Sequence, residues 1–388
     1  MKTFLRNIFI FIIIVAFGLG SQAFAAEVEL RDGASNTAAD WDQFIEENLP
    51  LVTYFNRKID NNSETIHLLA DVKVLHDFSN NEYYLFEYDP FGYLIYSYEF
   101  GVILEYSSEC VSPYQGREGS LLYFGPKEYY SYENGAFKNT VTRSMLNNDD
   151  ISEYVMVSRR ITEELRLNAD NELLDSYSLD ISDCTERNSV FNQQLRTTYT
   201  YVAYSGFISD LRTAYEIGYY YDGVGNGYCG YIAANMLMFY YDRVVDTDFV
   251  DSQYVTWHYS TQLGRNIWCL AGSGLTEHLI SLSGTPGGTT AYSIASVIED
   301  YCLDQGVSIY SYTPFVFTKN YIKGRIDDNN PVILFGDLVF PTSGSGFHAV
   351  LVYGYTSDDD LICHFGWANY HSVIVNGIWG SVYSLDCI

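Results

Sequence analysis

The rhythm of hydrophobic and polar positions changes midway along the chain. Between about residues 49 and 155, apolar positions come in short aromatic and β-branched stretches, at 66–75, 83–88, 93–98 and 102–106. Asn80-Asn81 and Asp89-Pro90-Phe91-Gly92 interrupt them, and such punctuation predicts strands joined by turns. Residues 150–181 are more polar, with 161–167 read as a short helix, and the polar run 188–201, which holds Gln193, Gln194 and Arg196, reads as a linker. Beyond it the period lengthens. Ile232, Met236, Phe239 and Tyr240 recur at three- and four-residue spacing and predict a helix over 228–245; Ile294, Val297 and Ile298 predict a second over 291–302. Strands are expected at 331–335, 349–355, 361–365 and 372–375. A β-rich first half, then a second half with helices early and a sheet late, make the chain α+β.

The length of 388 residues suits two domains. The first 25 residues are set apart: Lys2 and Arg6 lead an almost unbroken apolar run that ends at Ala23-Phe24-Ala25. Short apolar cores with small-residue ends are export signals, too short to remain as membrane anchors. The organisation expected is a signal peptide at 1–25, a β-rich domain at 26–200 and a second domain at 201–388. A secreted protein with no membrane attachment after cleavage follows. With 21 Lys+Arg against 49 Asp+Glu, the net charge of -28 repels phosphate and excludes nucleic acid and anionic membranes as partners. The 37 tyrosines suit half-wet strands and extended binding surfaces.

Seven cysteines follow the signal: Cys110, Cys184, Cys229, Cys269, Cys302, Cys363 and Cys387. In an oxidising compartment they allow three disulfides, with Cys110 to Cys184 the preferred pair, and leave one thiol over. No Cys/His spacing typical of zinc occurs, and no cofactor or metal is expected.

Two places carry candidate chemistry. In NGYCGYIAANMLMFYYD, residues 226–242, Cys229 lies between a glycine-rich loop and the first turn of the expected helix. The partial positive charge of a helix N-terminus favours thiolate over thiol, so the cysteine is either an activated nucleophile or a disulfide partner. In GFHAVLVYGY, residues 346–355, His348 opens an apolar strand, as a general base facing a cleft or as a core histidine bonded to a carbonyl. Together they gain meaning, because an imidazolium stabilises a thiolate and can protonate a leaving amine.

A Cys-Gly pair at a helix start, a distant histidine opening a GxHAVxxxGY-like strand and a Gly-Trp element soon after resemble the papain-like cysteine peptidases. The closest likeness is to secreted bacterial members of the streptopain type and to bacteriocin-processing relatives. The resemblance covers about residues 215–388 and implies a papain-like fold for the second half, with Cys229 as nucleophile, His348 as base and peptides or proteins as substrates. More weakly, the first half resembles the propeptides of such enzymes, which implies that the chain's own N-terminal domain acts as inhibitor until it is removed.

The sequence departs from that family at two positions. The residue that orients the imidazole is commonly an Asn before an aromatic-Gly-Trp element, and His364 stands there, in LICHFGW, residues 361–367. If 357–360 turns a simple hairpin, Thr356 faces Leu361, His348 faces Asn369, and His364 lies about 15 Å along the sheet. Asn369 is therefore the rival orienter. The glutamine expected six residues before the cysteine is replaced by Gly223, which leaves Asn226 as the side-chain amide for an oxyanion, or as a turn residue in the glycine loop. Two other functions remain open: a thiol amidase acting on cell-wall peptides, and a catalytically inactive papain-like secreted binding protein. Lesser candidates read as structure: the 223–227 glycines lack a dinucleotide loop's spacing, Asp358-Asp359-Asp360 is a solvated turn before it is a calcium site, residues 327–330 lack an EF-hand pattern, His278 and His371 are structural or surface residues, and no GxSxG occurs.

Overall fold

The computed structural model describes residues 45, 48–60, 66–78, 81–99, 101–126, 128–141, 145–146, 198–211, 228–245, 249–255, 257–262, 265–270, 273–284, 289–314, 318–336, 348–366, 370–375 and 381–387. The expected signal segment, the helix at 161–167 and residues 188–197 of the expected linker lie outside them.

The first half opens with a helix, α1 (Leu49–Asp60), where its β-branched and aromatic composition suggests strand. Spacing overrides composition here. Leu51, Val52, Phe55 and Ile59 fall on one helical face and are all buried. Phe55 anchors that face, its ring 4.9 Å from those of both Phe86 and Tyr96. Seven strands follow: β1 (Leu68–His76), β2 (Glu82–Asp89), β3 (Tyr93–Ser97), β4 (Val102–Ser107), β5 (Leu121–Tyr123), β6 (Tyr129–Glu133) and β7 (Ala136–Asn139). The first four match the expected stretches to within two residues.

The second half starts with β8 (Tyr199–Tyr201), α2 (Ser205–Asp210) and α3 (Cys229–Val244). A hairpin of β9 (Trp257–Gln262) and β10 (Arg265–Leu270) comes next, followed by α4 (Ser273–Ser283), α5 (Ala291–Gln305), β11 (Ile309–Tyr312) and α6 (Lys319–Asp327). The chain ends in β12 (Val332–Gly336), β13 (His348–Thr356), β14 (Leu361–His364), β15 (Val373–Val375) and β16 (Ser381–Cys387). Helix α5 runs a turn beyond the expected 302. The Thr290 hydroxyl accepts from Ser293 N–H at its start, and Gly306, in the left-handed region at φ 73, closes its end. Residues 327–330 end α6, where the Asn330 N–H donates to the Arg325 carbonyl at 2.8 Å.

One sheet runs through both halves, in the order β11-β16-β12-β13-β14-β15-β4-β3-β2-β1-β5-β6-β7, with β8 added on β13. It is mixed, because β1 pairs antiparallel with β2 and parallel with β5. The architecture is thus α+β around a large mixed sheet. The seam between halves is the β15 to β4 pair, with Ile374 opposite Tyr106 and Val375 opposite Glu105. Helix α3 is buried from Gly230 to Tyr241, apolar on all sides because it is covered by the sheet on one side and by α4 and α5 on the other. In that span Asn235 Nδ2 donates to Thr276 Oγ1 at 2.9 Å and ties α3 to α4.

Two expectations are corrected at the level of the core. Many tyrosines are not half-wet: Tyr83, Tyr93, Tyr106, Tyr114, Tyr123 and Tyr129 of the first half are fully buried. Four of these hydroxyls reach internal acceptors: Tyr83 to Asp77 at 2.9 Å, Tyr114 to the Leu122 carbonyl at 2.5 Å, and Tyr123 and Tyr129 to Glu105. The cysteines also differ. Cys110, Cys229, Cys302 and Cys363 are thiols rather than half-cystines, so Cys110 is not bonded to Cys184, which lies outside the described residues. Cys110 instead faces an imidazole, described below. Among the described residues no helix is long and apolar enough to cross a membrane.

Candidate active site

Helix α3 begins with Tyr228 as its N-cap in helical backbone conformation, and no side chain caps it. Cys229 is the first helical residue and is half-buried. The next residue has to be glycine: a Cβ at Gly230 would lie 2.1 Å from Thr289 Oγ1 and 3.1 Å from Phe335 Cε1. The first turn of α3 is therefore pressed against β12. In the β12 to β13 ladder Phe335 pairs with Ala349 and Gly336 with His348. His348, at the start of β13, thus shares an end of the sheet with the turn that bears Cys229.

The His348 imidazole is half-buried, and its Nε2 lies 2.5 Å from Glu128 Oε1. Glu128 comes from the first half, in the turn between β5 and β6. That turn is closed by Phe124 N–H donating to the Glu128 carbonyl at 3.1 Å and Glu128 N–H donating to the Gly125 carbonyl at 3.0 Å. The other carboxylate oxygen accepts from the Tyr130 hydroxyl at 2.6 Å. No local pattern singles out Glu128 in the sequence, because its partner is 220 residues away.

His364 stands elsewhere. It is fully buried on β14, opposite Leu351 and so three positions along β13 from His348. Its Nε2 donates to the Leu211 carbonyl at 2.8 Å, and its Nδ1 accepts from Gly366 N–H at 2.9 Å. Those bonds fix a neutral ring whose two nitrogens serve the packing of the 211 and 366 backbone. The hairpin register also departs from the simple one expected. Thr356 N–H donates to the Asp360 carbonyl at 2.9 Å and Asp359 takes φ 63, giving a three-residue turn at 357–359. Tyr355 rather than Thr356 then faces Leu361, and a bulge at Tyr353 shifts the pairing again. Asn369, Asn226 and the loop glycines at 223–227 lie outside the described residues.

The turn carboxylates have lysine partners, since Lys58 pairs with Asp358 and Lys323 with Asp359 at 2.5 Å. Among the described residues no group of three His, Cys, Asp or Glu is arranged to hold a metal. His278 packs as an aromatic, stacked on Tyr254 at 5.4 Å.

A second thiol and imidazole meet at the seam between halves. The Cys110 Sγ is 4.0 Å from His371 Nδ1, and His371 Nε2 is 3.5 Å from Glu109 Oε2. Cys110 and His371 are both fully buried, so His371 is a core residue rather than a surface one. Burial would push the Cys110 thiol up, but the facing His371 and the hydrogen bonds around the sulfur hold it below its ordinary value.

No family model and no curated relative matches the chain. A solved structure does resemble it. That structure is a fragment of Prevotella intermedia prointerpain A in which a cysteine is mutated to alanine, at 10% identity and a TM-score of 0.35, covering 81% of this chain and 98% of that one. The likeness is distant.

Proposed function

We propose that the chain is a secreted cysteine peptidase. Cys229 attacks a peptide carbonyl, His348 takes the thiol proton and returns it to the leaving amine, and water then hydrolyses the thioester. One observation supports this above the rest: Gly230 abuts Phe335, and each is the immediate neighbour, along its own element, of a residue the mechanism needs or of that residue's pairing partner. A bulkier residue at 230 would force the thiol-bearing turn away from the His348 end of the sheet.

The start of α3 adds a second support. Backbone N–H groups at a helix N-terminus favour a thiolate and can donate to the oxyanion of the tetrahedral intermediate, with Asn226 proposed as the accompanying amide. The substrate is a peptide or protein, and export by the first 25 residues is part of the proposal.

The test uses a peptidyl acyloxymethyl ketone on the full chain, with the labelled residue mapped by mass spectrometry. Wild type is expected to label at Cys229, Cys229→Ala not at all, and His348→Ala about 100-fold more slowly or less, the range of a lost general base. Wild type that stays unlabelled at Cys229 at every pH tried overturns the proposal.

A further inference from the structure

An imidazole that acts as base has to be held in one tautomer and one orientation, by a group bound to the ring nitrogen that does not face the nucleophile. His364, the residue assigned that role from the resemblance, holds the Leu211 carbonyl and the Gly366 N–H instead. On His348, Nε2 meets Glu128 Oε1 at 2.5 Å, and the peptidase reading assigns Nδ1 to the nucleophile. We propose that Glu128, supplied by the first half, is the positioning residue of the His348 imidazole, so that the reaction centre is completed across the two halves. The inference rests on the peptidase reading above and gives the first half a contributing role in place of the inhibitory one that the resemblance implies.

Three features of the contact support it. Glu128 is oriented before it meets the ring, through the turn hydrogen bonds at 3.0 and 3.1 Å and through Tyr130 at 2.6 Å. Both side chains are shielded, at 13% exposure for Glu128 and 21% for His348, where a charge-assisted hydrogen bond gains strength. The neighbouring residue clamps the strand to the other half, because the Tyr129 ring stacks on Tyr370 at 6.1 Å while its hydroxyl, held by Glu105 of β4 at 2.8 Å, fixes the ring. A propeptide that leaves by simple dissociation needs no such clamp.

The proton accounting is simple. With Nε2–H donating to the Glu128 carboxylate, the ring lone pair is on Nδ1. The Cys229 proton passes to Nδ1, giving thiolate and imidazolium, and the carboxylate stabilises the imidazolium without taking its proton. The Nδ1 proton then goes to the leaving amine, and the Nε2 proton stays in place throughout.

The experiment measures, on the full chain, the rate of iodoacetamide alkylation at Cys229 from pH 4 to 9, in wild type, Glu128→Gln, Glu128→Ala and His348→Ala. Ring proton resonances of His348 are followed by NMR over the same range, and amide spectra show that each variant is folded. In Glu128→Gln the His348 ring proton resonances are expected to change, because the group that fixes the ring's tautomer has lost its charge. Alkylation at pH 5 to 6 is expected to slow about tenfold in the same variant, with Glu128→Ala slower still. Faster alkylation in either variant makes Glu128 a cover and overturns the proposal, and so does an unchanged rate. If His348→Ala slows alkylation while Glu128→Gln does not, the Glu128 assignment alone fails. If His348→Ala also has no effect, the peptidase reading fails first and the positioning role with it.

Discussion

Glu105 shows how one buried group can set the pH response of the fold. It lies on β4, fully buried, with the Tyr129 and Tyr123 hydroxyls donating to its two carboxylate oxygens at 2.8 and 3.3 Å. Burial pushes its carboxyl up to about 7, and the tyrosine hydrogen bonds pull it only partly back. The unfolded chain releases that proton near 4.5, so between about 4.5 and 7 the folded state holds the proton that the unfolded state has lost. Stability therefore falls as pH rises through that window. Asp360, raised to about 6 by burial against the pull of Lys58 and Lys319, acts in the same direction. Urea unfolding should have a midpoint about 0.5 M or more higher at pH 5 than at pH 8, and Glu105→Gln should shrink that difference. A variant with an undiminished pH dependence removes Glu105 from the account. The residue scale also marks how far local reading reaches. Cys229 and His348 stand out as candidates from their immediate neighbours, whereas Glu128, Cys110 and His371 acquire meaning only through partners far away in the sequence.

Among elements, the strongly periodic helices α3 and α5 are legible, and so are β1 to β4 and β12 to β15. The pattern does not mark β9, β10, β11 and β16, and three further features escape it. Helix α1 is composed like a strand, and only its one-sided burial reveals it. Strand β8 hides in a polar run, because it forms where Val202 N–H meets the Tyr353 carbonyl at 3.0 Å, at the bulge of β13. The three-residue turn before β14 depends on Asp359 taking a left-handed conformation, with Thr356 Oγ1 accepting from the Asp358 and Asp360 N–H groups, both at 3.2 Å. The glycine of the GxHAVxxxGY-like stretch gains its reason here. A Cβ at Gly354 would lie 2.7 Å from the Tyr201 ring and 2.8 Å from the Thr200 carbonyl, so β8 can pair with β13 only if residue 354 has no side chain. Gly354→Ala should cost about 1–3 kcal/mol, the range for overpacking, read as a lower denaturation midpoint. Stability equal to wild type would show that β8 is dispensable to the sheet.

At the scale of the whole molecule, the two halves share a sheet, and their seam is buried and specific. Besides the β15 to β4 pairs, Ser107 Oγ donates to the Ser372 carbonyl at 2.7 Å, and Lys58 of α1, nearly buried, pairs with Asp358. Separating the halves would leave β15 and β4 each with one open edge and expose the apolar surfaces beneath, a combination that favours aggregation over a clean release. Cleavage of the chain within 147–197 is therefore expected to leave the halves together on gel filtration, parting only in denaturant. Two separate peaks under native conditions would mean that the seam is weaker than its burial indicates.

The sequence by itself determined the class and the cast. Period-two and period-3.6 patterning set an α+β chain with a helix behind a cysteine and a strand behind a histidine, because burial of one face leaves its mark on every neighbouring residue. The tertiary structure alone decided that a single sheet crosses both halves and which partners His348, His364 and His371 hold. Those outcomes depend on contacts such as Glu128 with His348, closed by hydrogen bonds between groups 220 residues apart, and no local preference encodes a distance of that kind.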